Sequence, residues 1–129
     1  MENGKKLTLE ALIAKKEQRQ AAKAEFKDVW IPSLEGCLTL KKLPATRFAA
    51  MMGRFDSENF EENLQFEIEL VYASCPMLQK AELQEAYGVK DPHDIVLAVL
   101  DDDLGALNTL AEAITGFYGL GEISDAAKN

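Results

Sequence analysis

The chain holds one histidine and two cysteines in 129 residues. Any chemistry beyond that of carboxylates and hydroxyls must therefore pass through His93, Cys37 or Cys75. His93 stands beside Asp91 and Asp94, a spacing that could orient an imidazole or contribute to a metal site. One histidine with no cysteine or second histidine nearby is thin ligand spacing, however. Its place in the first turn of a predicted helix points instead to an exposed side chain. The run Asp101-Asp102-Asp103 could suggest Mg²⁺ or Ca²⁺, but a calcium loop spreads its oxygens through a longer loop with a glycine at the turn, and that pattern is missing. These aspartates read better as an N-cap and its neighbours ahead of the next helix. Cys37 falls in a predicted strand and Cys75 at a helix end before Pro76, and neither has the basic sequence neighbours that depress a thiol pKa. There is no Gly-rich phosphate loop and no nucleophile elbow. The expectation is a protein that is not an enzyme, with no catalytic residue, no metal ligand and no cofactor.

Composition bounds what remains. The 22 acidic and 14 basic side chains give a net charge of −8, and 47% of the residues are apolar. That length predicts a single domain over 1–129, and that apolar fraction argues against wholesale disorder. A chain of this size buries roughly two-thirds of its unfolded surface, enough for one modest core. No run of about 18 apolar residues occurs, and the apolar stretch near the N-terminus breaks at Lys15, so neither a membrane span nor a secretory segment is expected. A cytosolic address and two free thiols follow as expectations. So strong an acidic balance argues against nucleic acid as a partner. The charge is also uneven. Residues 1–30 carry seven basic and five acidic groups, a balance of +2, whereas 31–129 carry seven basic and seventeen acidic groups, a balance of −10.

The elements that must position these residues are mostly helical. Thr8 can cap a polar N-terminal helix over 8–25, with Leu9, Leu12 and Ile13 as its apolar start. From Lys15 to Lys23 the helix propensity stays high but the apolar stripe lapses, so its second half is solvated or waits for a partner. Val29-Trp30-Ile31 and Cys37 to Lys41, separated by a Gly-containing turn, predict one small β-hairpin near residues 28–42. A lone hairpin must pack on the helices, and Trp30, with the largest apolar area, is the side chain expected to do so.

A short helix follows Pro44, with Phe48, Met51 and Met52 as its apolar members. The stretch from Glu58 to Cys75 fits a strand by the alternation of Leu64, Phe66, Ile68 and Leu70. It fits a helix better by Phe60, Leu64, Ile68, Val71 and Cys75, with Phe66 and Leu70 off that stripe. Pro76 stops it. Lys80 to Tyr87 is a helix ended by Gly88. Asp91 and Pro92 start another, whose buried face is Ile95, Val96, Val99 and Leu100. A last stripe, Leu104, Leu107, Leu110, Ala111, Ile114 and Phe117, ends at Gly119 and Gly121, and 122–129 reads as a frayed tail. The fold class expected is α+β, mostly helical, with about five or six helices and that one hairpin.

The stretch Glu82-Leu83-Gln84-Glu85-Ala86-Tyr87-Gly88, followed by Asp91-Pro92-His93-Asp94-Ile95-Val96, has a specific look. Pro76-Met77-Leu78 precedes it, and upstream lie a Lys/Gln-rich first helix and a hairpin turning at Leu34-Glu35-Gly36. From about Leu7 to Gly121, and most specifically over 76–96, the chain resembles the tail assembly chaperones of long-tailed phages and of defective prophages in Gram-positive bacteria. The resemblance implies a non-enzymatic role: binding the helical, aggregation-prone tape measure protein and assisting tail tube subunits to polymerise around it. It implies work in the host bacterial cytoplasm and absence from the mature virion. A soluble body presenting apolar surface to a helical client would serve that role. The candidate partner-binding residues are Phe66 and Leu70, off the helix stripe, and Phe117 and Tyr118 near the last helix end. A homo-oligomeric contact or ordinary core packing stays open for each.

Such phages often make a longer version of the chaperone by ribosomal frameshifting. The terminal Ala127-Lys128-Asn129 is compatible with a slippery heptamer A AAA AAC, which the DNA sequence would settle. Two other readings stay open. One is an acidic inhibitor or DNA mimic, from the −10 balance, although the carboxylates fall mainly at helix starts. The other is a small metal-dependent enzyme using His93.

Overall fold

A computed structural model describes residues 6–21, 25–53 and 58–120. Among them are six α-helices and one two-stranded antiparallel sheet, an α+β fold that is mostly helical. The elements run α1 (Leu9–Ala21), β1 (Phe26–Ile31), β2 (Gly36–Lys41), α2 (Ala45–Met52), α3 (Phe60–Ser74), α4 (Ala81–Tyr87), α5 (Ile95–Leu100) and α6 (Leu104–Gly116). Short 3₁₀ turns at Pro32–Leu34, Pro76–Gln79 and Pro92–Asp94 join them. Proline opens all three, where its missing N–H costs no hydrogen bond. None of these helices is long and apolar enough to cross a membrane.

The helix boundaries follow capping chemistry. Thr8 Oγ1 accepts from the N–H of Ala11 at 3.1 Å, and α1 starts one residue later. Its described residues run to Ala21, and 22–24 of the expected 8–25 helix lie outside the described ones. Asn59 caps α3 by accepting from the N–H of Glu62 at 3.0 Å, and Asp103 caps α6 by accepting from Ala106 at 3.1 Å. Asp101 and Asp102 take left-handed backbone angles between α5 and α6, so the aspartate run is a helix break and cap, as its sequence suggests. Gly88 closes α4 at φ 67°, the left-handed C-cap that favours glycine. The tail expected over 122–129 and the terminal Ala127-Lys128-Asn129 lie outside the described residues.

The core gathers around α3 and α6, with α5 and the hairpin packed against them. Phe66, Leu70 and Val71 of α3 meet Leu107, Leu110, Ala111 and Ile114 of α6 in one apolar cluster. Ile95, Val96, Val99 and Leu100 of α5 join it. The helical reading of 58–75 holds, and Val71 and Cys75 of the expected stripe are buried, but the N-terminal part of the buried face is not the one the sequence favours. Phe66 and Leu70 are fully buried and Phe60 is 70% exposed, while Leu64 and Ile68 are half-buried flanks. The reason is geometric. Residues 64 and 66 are about 200° apart on a helix, and α3 carries apolar side chains on both sides. Which side is buried depends on neighbours, and α2, α5, α6 and β2 surround α3 on the Phe66 side and its flanks.

The hairpin corrects a second expectation. Its register pairs Val29 with Leu38, Trp30 with Cys37 and Ile31 with Gly36. Period-two alternation turns Val29, Ile31, Leu38 and Leu40 inward, with Ile31 and Leu40 fully buried. Trp30 faces away from the helices and is 56% exposed. The residues that dock the hairpin are therefore its neighbours. Glu35, rather than Gly36, takes the left-handed conformation at the turn, with φ 52°.

Candidate functional site

Of the four candidate partner-binding residues, three are core. Phe66 and Leu70 pack inside α3's buried face, and Phe117 is 6% exposed. They offer no open surface in this structure, and a partner would have to displace the packing of α3 or α6 to reach them. Tyr118 is half-buried, and its ring stacks on Phe48 with centroids 4.1 Å apart. Its hydroxyl donates to the Leu43 carbonyl at 2.8 Å and accepts from the Leu43 N–H at 3.0 Å. Burial pushes this phenol's pKa up, the Leu43 bonds pull it down, and the nearby Glu25 carboxylate raises it again. Phe117 sits below Lys27, whose Nζ lies 4.9 Å from the ring centroid and donates to the Ala113 carbonyl at 3.0 Å. Gly116 leaves room for that approach, since a Cβ there would stand 3.0 Å from Lys27 Nζ. Phe117 and Tyr118 thus clamp the end of α6 to the hairpin and to the segment before α2.

The residues with chemical potential do not converge. His93 is half-buried rather than fully exposed: its ring stands edge-on to Tyr72 at 4.8 Å, and Nδ1 lies 3.8 Å from Asp91 Oδ1. Among the described residues no group of three or more His, Cys, Asp or Glu side chains is placed to hold a metal ion. Cys37 is exposed on the outer hairpin face and Cys75 is buried. Burial pushes the Cys75 thiol pKa up, only partly offset by backbone groups of Leu78 and Met77. A buried, high-pKa thiol is a packing group rather than a nucleophile.

What the fold leaves open is surface. A groove of about 620 Å³ runs between the end of β2, α2 and the C-terminal end of α3, with Lys41, Lys42 and Arg47 along one wall and Tyr72, Gln79 and His93 along the other. Lys42 is engaged there, 3.6 Å from a Glu25 carboxylate oxygen and over the Tyr118 ring. A second, smaller groove of about 300 Å³ lies between the starts of α3 and α6, lined by Phe60, Leu64, Leu104 and Leu107 with Glu67 deeper along it. Burial, then repulsion from Glu112, raises the Glu67 pKa.

Two further apolar surfaces face outward. The outer hairpin face carries Phe26 and Trp30, both more than half exposed. The first half of α1 carries Leu9, Leu12 and Ile13, none of which joins the core. Strict strand alternation, with Val29, Ile31, Leu38 and Leu40 on one face, was the signal that could have placed Trp30 outside. Nothing local in sequence joins the α3 and α6 starts, which are more than 40 residues apart.

Comparison of the chain with protein-family models, with curated proteins and with solved structures finds no match.

Proposed function

We propose that this protein is a non-enzymatic tail assembly chaperone that holds a phage tape measure protein in solution and assists tail tube assembly. The observation that carries a binding role is a core that, among the described residues, closes over nineteen buried apolar side chains beside aromatic surface that the core does not use. Phe26 and Trp30 stand on one face of the hairpin, and large exposed aromatics of this kind anchor protein contacts. A helical client laid across that hairpin face would cover both rings at once. The choice of client rests on the sequence resemblance of 76–96. Those residues build the Pro76–Gln79 turn, α4 with its Gly88 cap, and the Asp91–Pro92 entry to α5. All three are scaffold elements, so the resemblance supports the family and fold rather than a binding residue.

The chemistry fits that role. Net −8 keeps a complex with an aggregation-prone chain dispersed by charge repulsion. In this reading the protein works in the host bacterial cytoplasm and is absent from the finished particle. Trp30 is the sole tryptophan, so its emission reports directly on the proposed face. Titrating the protein with a tryptophan-free helical fragment of the tape measure protein should shift that emission to the blue and saturate. Emission unchanged at saturating fragment, with a complex nonetheless eluting, would move the client away from the hairpin. No complex at all would remove the reading.

A further inference from the structure

Positive charge is scarce in the folded body and concentrated where it occurs. Over 25–53 and 58–120 the chain carries six lysines and arginines against sixteen acidic side chains. Three of those six, Lys41, Lys42 and Arg47, line the groove of about 620 Å³ between the end of β2, α2 and the C-terminal end of α3. One carboxylate, Glu69, lines it with them, and it accepts from the Gln65 amide at 3.2 Å. Lys42 is held by Glu25 and the Tyr118 ring. Lys41 and Arg47 are exposed and make no ion pair among the described residues. Two uncommitted cations therefore stand on one wall of a groove in a protein whose surface is otherwise acidic.

The rest of the lining is apolar with one fixed acceptor. Met51, Tyr72 and Ala73 are half-buried there and supply contact area. Gln79 Nε2 donates to the carbonyls of Tyr72 at 2.8 Å and Ala73 at 3.2 Å, closing the last turn of α3. With its nitrogen committed to the helix, the Gln79 amide keeps its carbonyl oxygen to accept an incoming N–H. An inorganic anion would engage the cations and leave both the apolar lining and this acceptor unmatched. A peptide backbone brings an N–H with nearly every residue, and its side chains bring the carboxylates and the apolar surface. The groove also has the volume of a specific ligand site rather than of a single-ion site.

We infer that this groove binds an acidic peptide segment of a partner protein. Its carboxylates meet Lys41 and Arg47, an aliphatic side chain lies against Met51 and Tyr72, and a backbone N–H reaches the Gln79 oxygen. Recognition of an acidic motif by clustered cations, with pockets for the side chains between, is an established mode of peptide capture. The long-range field of a protein of net charge −8 repels such a ligand, so capture depends on short-range contacts inside the groove. That makes the site selective: an acidic chain is held here and repelled elsewhere on the surface. The inference rests neither on the hairpin face nor on the identity of any client.

Fluorescence anisotropy of a fluorescein-labelled Asp-Glu-Leu-Asp-Glu peptide, titrated with the full chain at low salt, tests it. Binding should saturate at one peptide per chain and weaken as sodium chloride is added. The neutral Asn-Gln-Leu-Asn-Gln counterpart should stay unbound. Lys41→Glu and Arg47→Glu should each weaken binding about tenfold, because reversal trades an attraction for a repulsion. Lys90→Glu makes the same change of net charge at an exposed position outside the groove, and should leave binding within about twofold of wild type. Unchanged far-UV circular dichroism confirms that each variant folds. No saturable binding, equal binding of the neutral peptide, or an equal loss in Lys90→Glu would overturn the inference. So would a peptide displaced by millimolar inorganic phosphate, which marks an anion site only, or an oligodeoxythymidine that binds more tightly than the peptide. Binding lost in the Phe26→Ser/Trp30→Ser variant but kept in Lys41→Glu and Arg47→Glu would place the peptide on the hairpin and overturn it as well.

Discussion

The Tyr118 hydroxyl and the Leu43 backbone exchange two hydrogen bonds, 2.8 Å to the carbonyl and 3.0 Å from the N–H, across 75 residues of sequence. One phenol thereby does for Leu43 what a neighbouring strand would do, satisfying both backbone groups at the point where the hairpin hands over to α2. Tyr118→Phe keeps the ring stack on Phe48 but strips both bonds. The expected loss is about 1–3 kcal/mol, the cost of leaving buried backbone groups unpaired. Urea unfolding measures it, and a loss within error of zero would show that water replaces the phenol at no cost.

Adjacent residues on β1 should behave in opposite ways. Ile31 is fully buried and Trp30 is 56% exposed. Ile31→Ala should cost about 2–5 kcal/mol through lost burial and the cavity left behind. Trp30→Ala should change stability by less than about 1 kcal/mol, since the indole packs on no helix. Equal losses at the two positions would mean that the hairpin face is assigned the wrong way round.

Ser74 carries a buried hydroxyl with no hydrogen-bond partner among the described residues. Removing an unsatisfied buried polar atom relieves its desolvation cost, so Ser74→Ala should raise stability by up to about 1 kcal/mol. Thermal unfolding checks the sign. A destabilised variant would place a bound water or other partner on that oxygen.

Glu67 gives stability a defined pH dependence. Burial first, and Glu112 second, raise its pKa above the ordinary value of 4.5. A carboxyl with a raised folded pKa binds its proton more tightly in the native state. It therefore favours folding at low pH, and that contribution is lost as pH rises from about 4.5 through the folded value. Glu67→Gln should be more stable than its parent at pH 7, with the gap closing towards pH 4. A gap that widens on acidification would reverse the sign of the Glu67 contribution.

Much of this fold was legible in sequence, and the parts that were not share a cause. Thr8, Asp91, Asp103 and Gly88 announce helix ends because capping is a local exchange between a side chain and backbone a few residues away. The α5 face, Ile95, Val96, Val99 and Leu100, was legible from its i, i+1, i+4, i+5 spacing after the Asp91–Pro92 start, although Leu97 and Ala98 leave the other side apolar as well. Phe66 and Leu70 were misplaced because α3 is apolar on two sides, and neighbours distant in sequence, α6 above all with α2, α5 and β2, decide between them. Trp30 was misplaced for a different reason: side-chain size was weighed over strand alternation, and in a sheet alternation decides which face a residue joins. The grooves depend on residues brought together from distant elements, which no spacing rule reaches.

The two cysteines should separate cleanly by reactivity. Cys37 is exposed and Cys75 is buried with a raised pKa. Labelling with a chromogenic disulfide reagent at pH 8 should give one fast thiol per chain in the native state and a second only on unfolding. Two fast thiols would show that the Pro76 turn opens readily and exposes Cys75.

The proposed function requires a client held by the hairpin face. The most direct measurement is coexpression with the tape measure protein encoded in the same gene cluster, comparing wild type with the Phe26→Ser/Trp30→Ser double variant. With wild type the tape measure protein should stay soluble and co-elute with this chain, and with the folded double variant most of it should return to the insoluble fraction. A tape measure protein that remains insoluble beside the wild-type chain, with no complex on elution, would contradict the proposed function.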